Sequence, residues 1–238
     1  MKQIIACEAF EKGLFLVLSR SRILHTLLAF LSLLNVCRAE IGQHEADDGL
    51  KVVAFGTSFT SRALWPEQLE QLLTECTDQD VTVTKVARAG ATSDWALKNL
   101  ASVVAEKPDV VVIEFYINDA ALNRAMLPST SSENFSKILK ALRSDLPNAR
   151  VIVTVAHTPW GVSNWARPFL QSYISAHLDA AAALDLEVID FSAKWAAFPR
   201  RSLEQLIPDG LHADPSAEAE LMVPVLANAI APLECQDG

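Results

Sequence analysis

The chain has 238 residues, half of them hydrophobic, and a formal net charge of −9. That length suits one domain with a sizeable core, and the acidic balance argues against nucleic acid and anionic membrane surfaces as partners. It favours a neutral or weakly charged ligand.

The first 40 residues differ in kind from the rest. Basic Lys12, Arg20 and Arg22 lead into the apolar run Ile23 to Val36, which is followed by Cys37-Arg38-Ala39. This order reads as a secretory signal over residues 1–39, cut after Ala39. The apolar run is short of the ~20 residues that a membrane-spanning helix needs; an uncleaved anchor is the alternative. Residues 40–238 read as a single domain, with no Gly/Ser/Pro-rich linker, repeat or low-complexity tract dividing them. They carry 15 of the 20 basic residues and 27 of the 29 acidic ones, a net charge of −12. The expected location is periplasmic or secreted, with no stable membrane association after cleavage. Of four cysteines, Cys7 and Cys37 leave with the leader, while Cys76 and Cys235 remain. An even pair in an oxidising compartment is a disulfide candidate, joining the end of the first helix to the C-terminal tail. Two separate thiols are the alternative. No cysteine or histidine spacing reads as a metal site.

Five strand-like segments, 51–55, 81–86, 109–115, 150–156 and 186–191, alternate with helical patterns near 62–75, 93–106, 131–145, 165–184 and 215–231. Val110-Val111-Val112-Ile113 and Val151-Ile152-Val153 are apolar without alternation, as parallel strands covered on both faces are. The pattern predicts a three-layer α/β/α sandwich with right-handed crossovers. In such sheets ligands bind beyond the carboxyl ends of the strands.

Chemistry-bearing segments fall in that place. Gly56-Thr57-Ser58-Phe59 follows the first strand, Arg88-Ala89-Gly90 the second and Ile117-Asn118-Asp119 the third, while Asp209-Gly210-Leu211-His212 lies just ahead of the last helix. Acyl transfer through a serine requires a nucleophile, a base, an acid that orients the base, and N–H donors for the oxyanion. In this reading Ser58 attacks, His212 takes its proton and Asp209 orients the imidazole. Backbone N–H groups of Ser58 and Gly90, with the Asn118 amide, hold the oxyanion. Each segment also has an ordinary reading. Gly-Thr-Ser caps a helix, Asp-Gly-Leu-His makes a turn with a surface histidine, and Asn118 makes an Asx turn. The case rests on all four occurring in order at strand ends. His44, His157 and His177 are rival bases, but none has an acid three residues before it. The related G-x-S-x-G elbow fails, because Thr60 stands at its second glycine.

These blocks resemble those of the SGNH (GDSL-type) hydrolases. Gly56-Thr57-Ser58-Phe59 matches the first block, Gly90 the second, Asn118-Asp119 the third, and Asp209 with His212 the D-x-x-H block, so that the likeness runs from Lys51 to about Ile230. The resemblance implies a five-stranded parallel flavodoxin-like sheet, a Ser58-His212-Asp209 triad, and an oxyanion hole from Ser58, Gly90 and Asn118. It implies esterase, lipase, thioesterase or carbohydrate acyl-esterase activity without a cofactor. Thr57 stands where the family usually has Asp, Phe59 where it has Leu, and Tyr116 where it has Gly; none of these removes a reacting group, and Tyr116 is expected to reshape a substrate subsite. The loop 157–165 carries Trp160 and Trp165, which suit a sugar ring or else pack the loop onto the sheet. The expected activity is an exported serine esterase acting on small acyl esters, O-acetylated saccharides among them, through an acyl-enzyme. A lysophospholipase or thioesterase of the same fold, or a non-catalytic glycan-binding protein, is the alternative.

Overall fold

The structure, a computed structural model, describes residues 49–232 and Cys235; the predicted leader and its cleavage site lie outside the described residues. Strands β1 (Leu50–Gly56), β2 (Val81–Ala87), β3 (Val110–Ile113), β4 (Arg150–Val155) and β5 (Glu187–Asp190) form one sheet in the order β2-β1-β3-β4-β5. Every pair is parallel. The helices are α1 (Ser58–Ser61), α2 (Trp65–Thr77), α3 (Ser93–Ala105), α4 (Tyr116–Asp119), α5 (Pro128–Asp145), α6 (Gly161–Trp165), α7 (Leu170–Ala182), α8 (Ser192–Ala196), α9 (Arg200–Leu206) and α10 (Pro215–Ile230).

Side chains alternate across a strand, so an unbroken apolar run supplies two buried faces. Val52 and Ala54 of β1, Val110 and Val112 of β3, and Ile152 of β4 point to one side, where Trp65, Leu69 and Leu73 of α2 meet Met222, Val223 and Leu226 of α10. Val53, Phe55, Val111, Ile113, Val151 and Val153 point to the other, against Ala96 and Val103 of α3, Phe135, Ile138 and Leu139 of α5, and Ala180 and Ala181 of α7. This is the predicted three-layer α/β/α sandwich. The edge strands differ from the centre: only Val81 of β2 is fully buried, and no residue of β5 is. β5 is short and charged, with Glu187 2.7 Å from Arg150, which discourages pairing with another chain.

Several boundaries differ from the sequence expectation. β3 ends at Ile113, although the Glu114 N–H still donates to Phe55 O of β1, and α4 begins at Tyr116. The single helix expected over 165–184 is two, α6 and α7, separated at Pro168, which lacks the N–H a continuous helix needs. α5 begins earlier than expected, with Pro128 in its first turn. Cys76, near the end of α2, is bonded to Cys235 with the Cα atoms 5.3 Å apart. The disulfide fastens the tail beyond α10 to α2. The strand order reverses between β1 and β3, and the loops beyond their carboxyl ends open a crevice there.

Candidate active site

Ser58 is the first residue of α1, immediately after the turn that leaves β1. Gly56 lets that turn close over β3: a Cβ there would collide with Thr60 Oγ1 and Glu114 Oε1. Glu114 is the anchor beneath the turn. Its carboxyl accepts from the Thr57 N–H (2.5 Å), Thr57 Oγ1 (3.0 Å) and Thr60 Oγ1 (3.3 Å). Burial pushes Glu114 up to about 8 against the pull of these bonds, and the charge of Asp119 adds to the rise. Glu218 of α10 is likewise raised to about 8, by burial and by Glu114. Thr57 stands where the resemblance expects an Asp, and a carboxyl from the end of β3 meets the turn.

Asp209 and His212 reach Ser58 from the far end of the chain. The Asp209 Oδ1 accepts the N–H groups of Leu211 (2.8 Å) and His212 (2.6 Å), curling the loop into a tight turn. Its Oδ2 lies 2.7 Å from His212 Nδ1, and His212 Nε2 lies 2.9 Å from Ser58 Oγ. With the ring proton on Nδ1 facing the carboxylate, Nε2 is free to accept the serine hydroxyl. Burial alone would raise Asp209, but the hydrogen bonds from His212 and Leu211 outweigh it and hold the carboxyl down to about 2. Phe59 presents an edge-on ring contact to the imidazole, 6.0 Å between centroids.

The loop after β4 braces this turn. His157 Nε2 lies 2.7 Å from the Leu211 carbonyl, the Trp160 N–H donates to Gly210 O (2.9 Å), the Trp160 indole N–H to Ile207 O (3.1 Å), and Ser163 Oγ to Asp209 O (3.2 Å). His157, a rival base by sequence, is buried, and burial lowers it to about 4. Trp160 is partly buried, packed against the core on the α10 side, with both its N–H groups bonded to backbone carbonyls. Trp165 is 78% exposed. Tyr116, expected to shape a substrate subsite, is instead turned into the core, where its hydroxyl accepts the Ala156 N–H at 2.9 Å.

Gly90 and Asn118 face Ser58 across the crevice. Gly90 has a φ of 75°, a left-handed conformation that favours glycine. Asn118 is buried and spends one amide hydrogen on Ala91 O (2.9 Å); the second remains for the crevice. Two clefts of about 350 Å³ each flank the serine. One is lined by Phe59, Ala63, Pro208, Asp209, Asp214 and Glu218, the other by Gly90, Asn118, Arg124 and Arg167; Ser58, Arg62 and His212 border both. Among the described residues, no group of three or more His, Cys, Asp or Glu side chains could hold a metal ion.

The model of the GDSL-like Lipase/Acylhydrolase family matches residues 53–219, from β1 through the Asp209–His212 turn into α10. The chain belongs to that family. Among similar solved structures is the lipase/acylhydrolase from Enterococcus faecalis, 28% identical, with a TM-score of 0.64, covering 76% of this chain and 95% of that one. TesA is 21% identical at a TM-score of 0.62, with 77% and 99% covered. An acetylxylan esterase from Geobacillus stearothermophilus shares the fold at 15% identity and a TM-score of 0.62, with 76% and 94% covered. No curated protein matches the chain in sequence.

In this GDSL-like hydrolase the structure brings Ser58, Asp209, His212, Gly90 and Asn118 to one crevice, buries Tyr116 in the core and packs Trp160 partly against it. Residues not foreseen are Glu114, the brace from His157, and the three arginines. A single carboxylate ending the apolar run Val110-Val111-Val112-Ile113-Glu114 was the available signal for the first. The arginines lie on separate segments and share no spacing.

Proposed function

We propose that this hydrolase is a serine esterase that cleaves small acyl esters through an acyl-enzyme. The observation that carries the reading is the hydrogen-bonded chain from Ser58 Oγ to His212 to Asp209, at 2.9 and 2.7 Å. A serine hydroxyl is a weak nucleophile until a base takes its proton. In this mechanism His212 Nε2 removes the proton as Ser58 Oγ attacks the ester carbonyl, and Asp209, ionised down to about 2, stabilises the imidazolium. The negative charge on the former carbonyl oxygen is met by the N–H groups of Ser58 and Gly90 and by the free amide hydrogen of Asn118. His212 then gives its proton to the departing alcohol. Water, deprotonated by His212, attacks the acyl-enzyme and releases the acid.

The flanking clefts, about 350 Å³ each, suit short acyl groups, those of O-acetylated saccharides among them. A chain-length series of aryl esters distinguishes this from a lysophospholipase or thioesterase, for which activity should climb with acyl length. The charged-apolar-small order of the leader and the Cys76–Cys235 disulfide support export to an oxidising compartment. The deciding experiment is labelling with a fluorophosphonate probe, followed by peptide mapping. Label on Ser58, absent in Ser58→Ala, is the expected result. Folded protein that neither labels nor hydrolyses short aryl esters would favour the glycan-binding alternative.

A further inference from the structure

The cleft on the Gly90 side of Ser58 carries a charge opposite to that of the molecule. The chain is net −9, yet Arg62, Arg124 and Arg167 line this cleft and no acidic side chain does. Three separate segments deliver them: Arg62 follows α1, Arg124 ends a short turn at Leu122–Arg124, and Arg167 lies between α6 and α7. Arg124 lies over the oxyanion side, since a Cβ on Gly90 would come 2.7 Å from its Nη2. Arg167 forms the floor and is only 7% exposed. Its Nε donates to Ile117 O and its Nη1 to Ser163 O, both at 2.8 Å. These bonds fix the orientation of the guanidinium but leave its charge uncompensated. Among the described residues none of the three arginines has a carboxylate within 4.0 Å.

A buried cation is costly unless an anion accompanies it, and a second guanidinium nearby raises that cost. Burial and then the charge of Arg124 both lower the Arg167 pKa, in keeping with two cations that face one another without a counter-ion. Guanidinium forks match the paired oxygens of oxyacid anions. The cleft across Ser58 shares Arg62 but lacks Arg124 and Arg167 and carries Asp209 and Asp214, so the Gly90 side is the one that favours an anion.

We propose that the Arg62–Arg124–Arg167 cleft binds an oxyacid anion, a carboxylate, phosphate or sulfate group, carried by the same ester whose carbonyl meets Ser58. The inference rests on the serine-esterase reading and narrows it to anionic esters. A negative group held there would anchor the substrate beside the oxyanion donors and set its carbonyl against Ser58.

Two matched pairs of esters test this with the full chain. An aryl hemisuccinate and its neutral methyl ester place or remove a carboxylate on the acyl part; 4-acetoxybenzoate and 4-acetoxybenzamide do so on the alcohol part. The anionic member of at least one pair should have a kcat/KM about tenfold or more above its neutral partner, as charge-assisted hydrogen bonds imply, mostly through KM. Arg124→Gln and Arg62→Gln should each reduce that ratio severalfold, and Arg167→Lys should reduce it while keeping a charge in the floor. Independently of turnover, calorimetry on Ser58→Ala should detect monomethyl succinate or 4-acetoxybenzoate and lose it when Arg124→Gln is added. Hydrolysis of all four esters without an anionic preference in either pair would overturn the anion site and leave the esterase reading standing. So would an Arg124→Gln loss equal for both members of a pair, which would make Arg124 an oxyanion donor. If no ester is hydrolysed, the esterase reading falls, and the calorimetry still decides the anion site: no heat with either monomethyl succinate or 4-acetoxybenzoate overturns it.

Discussion

Two Ser/His/Asp clusters stand among the described residues, and they are built to opposite ends. Ser58, His212 and Asp209 stand in series at the crevice, with the imidazole between hydroxyl and carboxylate. In the other, Ser131 Oγ donates directly to Asp119 Oδ2 at 2.6 Å and lies 2.9 Å from His177 Nε2. A hydroxyl has one proton, and here the carboxylate holds it, so His177 donates to Ser131 and cannot serve as its base. His177 is 1% exposed and stacks on Phe135 with the centroids 3.8 Å apart. Burial lowers its pKa, although Asp119 opposes that. Asp119 Oδ1 also accepts the Ser93 N–H at 2.8 Å, so the buried cluster staples α3, α4, α5 and α7 together. The same three residue types give a reactive arrangement or a structural one according to which group lies in the middle and whether solvent reaches the serine.

The sharpest way to break this comparison is to delete each serine. Ser58→Ala and His212→Ala should each lower kcat for a short aryl ester by ~10⁴-fold or more, with the double mutant scarcely worse, because groups acting as a unit are not additive. Ser131→Ala should leave kcat within tenfold and instead lower unfolding free energy by ~1 to 3 kcal/mol, the cost of leaving buried Asp119 short of a donor. The reverse pattern in steady-state kinetics and urea melts would exchange the two roles. Next in size is Asn118→Ala, expected to reduce kcat by ~10²- to 10³-fold with KM nearly constant. A mutant with wild-type kcat would remove Asn118 from the oxyanion site.

Two smaller effects concern the scaffold around the crevice. Replacing Cys76 and Cys235 together by Ser should lower stability by ~2 to 4 kcal/mol while hydrolysis at 25 °C persists; equal melts for the variant and the oxidised protein would refute it. The last effect is a pH slope. Folded Glu114 and Glu218 hold their protons up to about 8, whereas unfolded glutamates release theirs near 4.5. Their contribution is therefore complete below 4.5 and declines as pH rises toward about 8. Asp209 has the opposite sign, since its depressed pKa withdraws stability only as pH falls toward about 2. Glu114→Gln keeps an acceptor for the Thr57 N–H and a donor beside the threonine hydroxyls, so its urea midpoint should fall less than wild type between pH 5 and 8. An unchanged slope would assign the titration elsewhere.

What the sequence determined by itself is the local pattern: five strands, the helices between them, and the β1, β3 and β4 runs that required cover on both faces. Those features follow from periods of a few residues, which neighbouring side chains alone dictate. The four family blocks were legible as well, because each occupies four or fewer consecutive positions. The tertiary structure decided what depends on distance through the chain. It set His212 Nε2 against a serine 154 residues away and chose a disulfide over two free thiols for Cys76 and Cys235. It also spent Tyr116 and Trp160 on packing. Arg62, Arg124 and Arg167 converge for the same reason. No spacing links them, and only the crossovers of a parallel sheet, which gather successive loops at one edge, bring their charges into a single cleft.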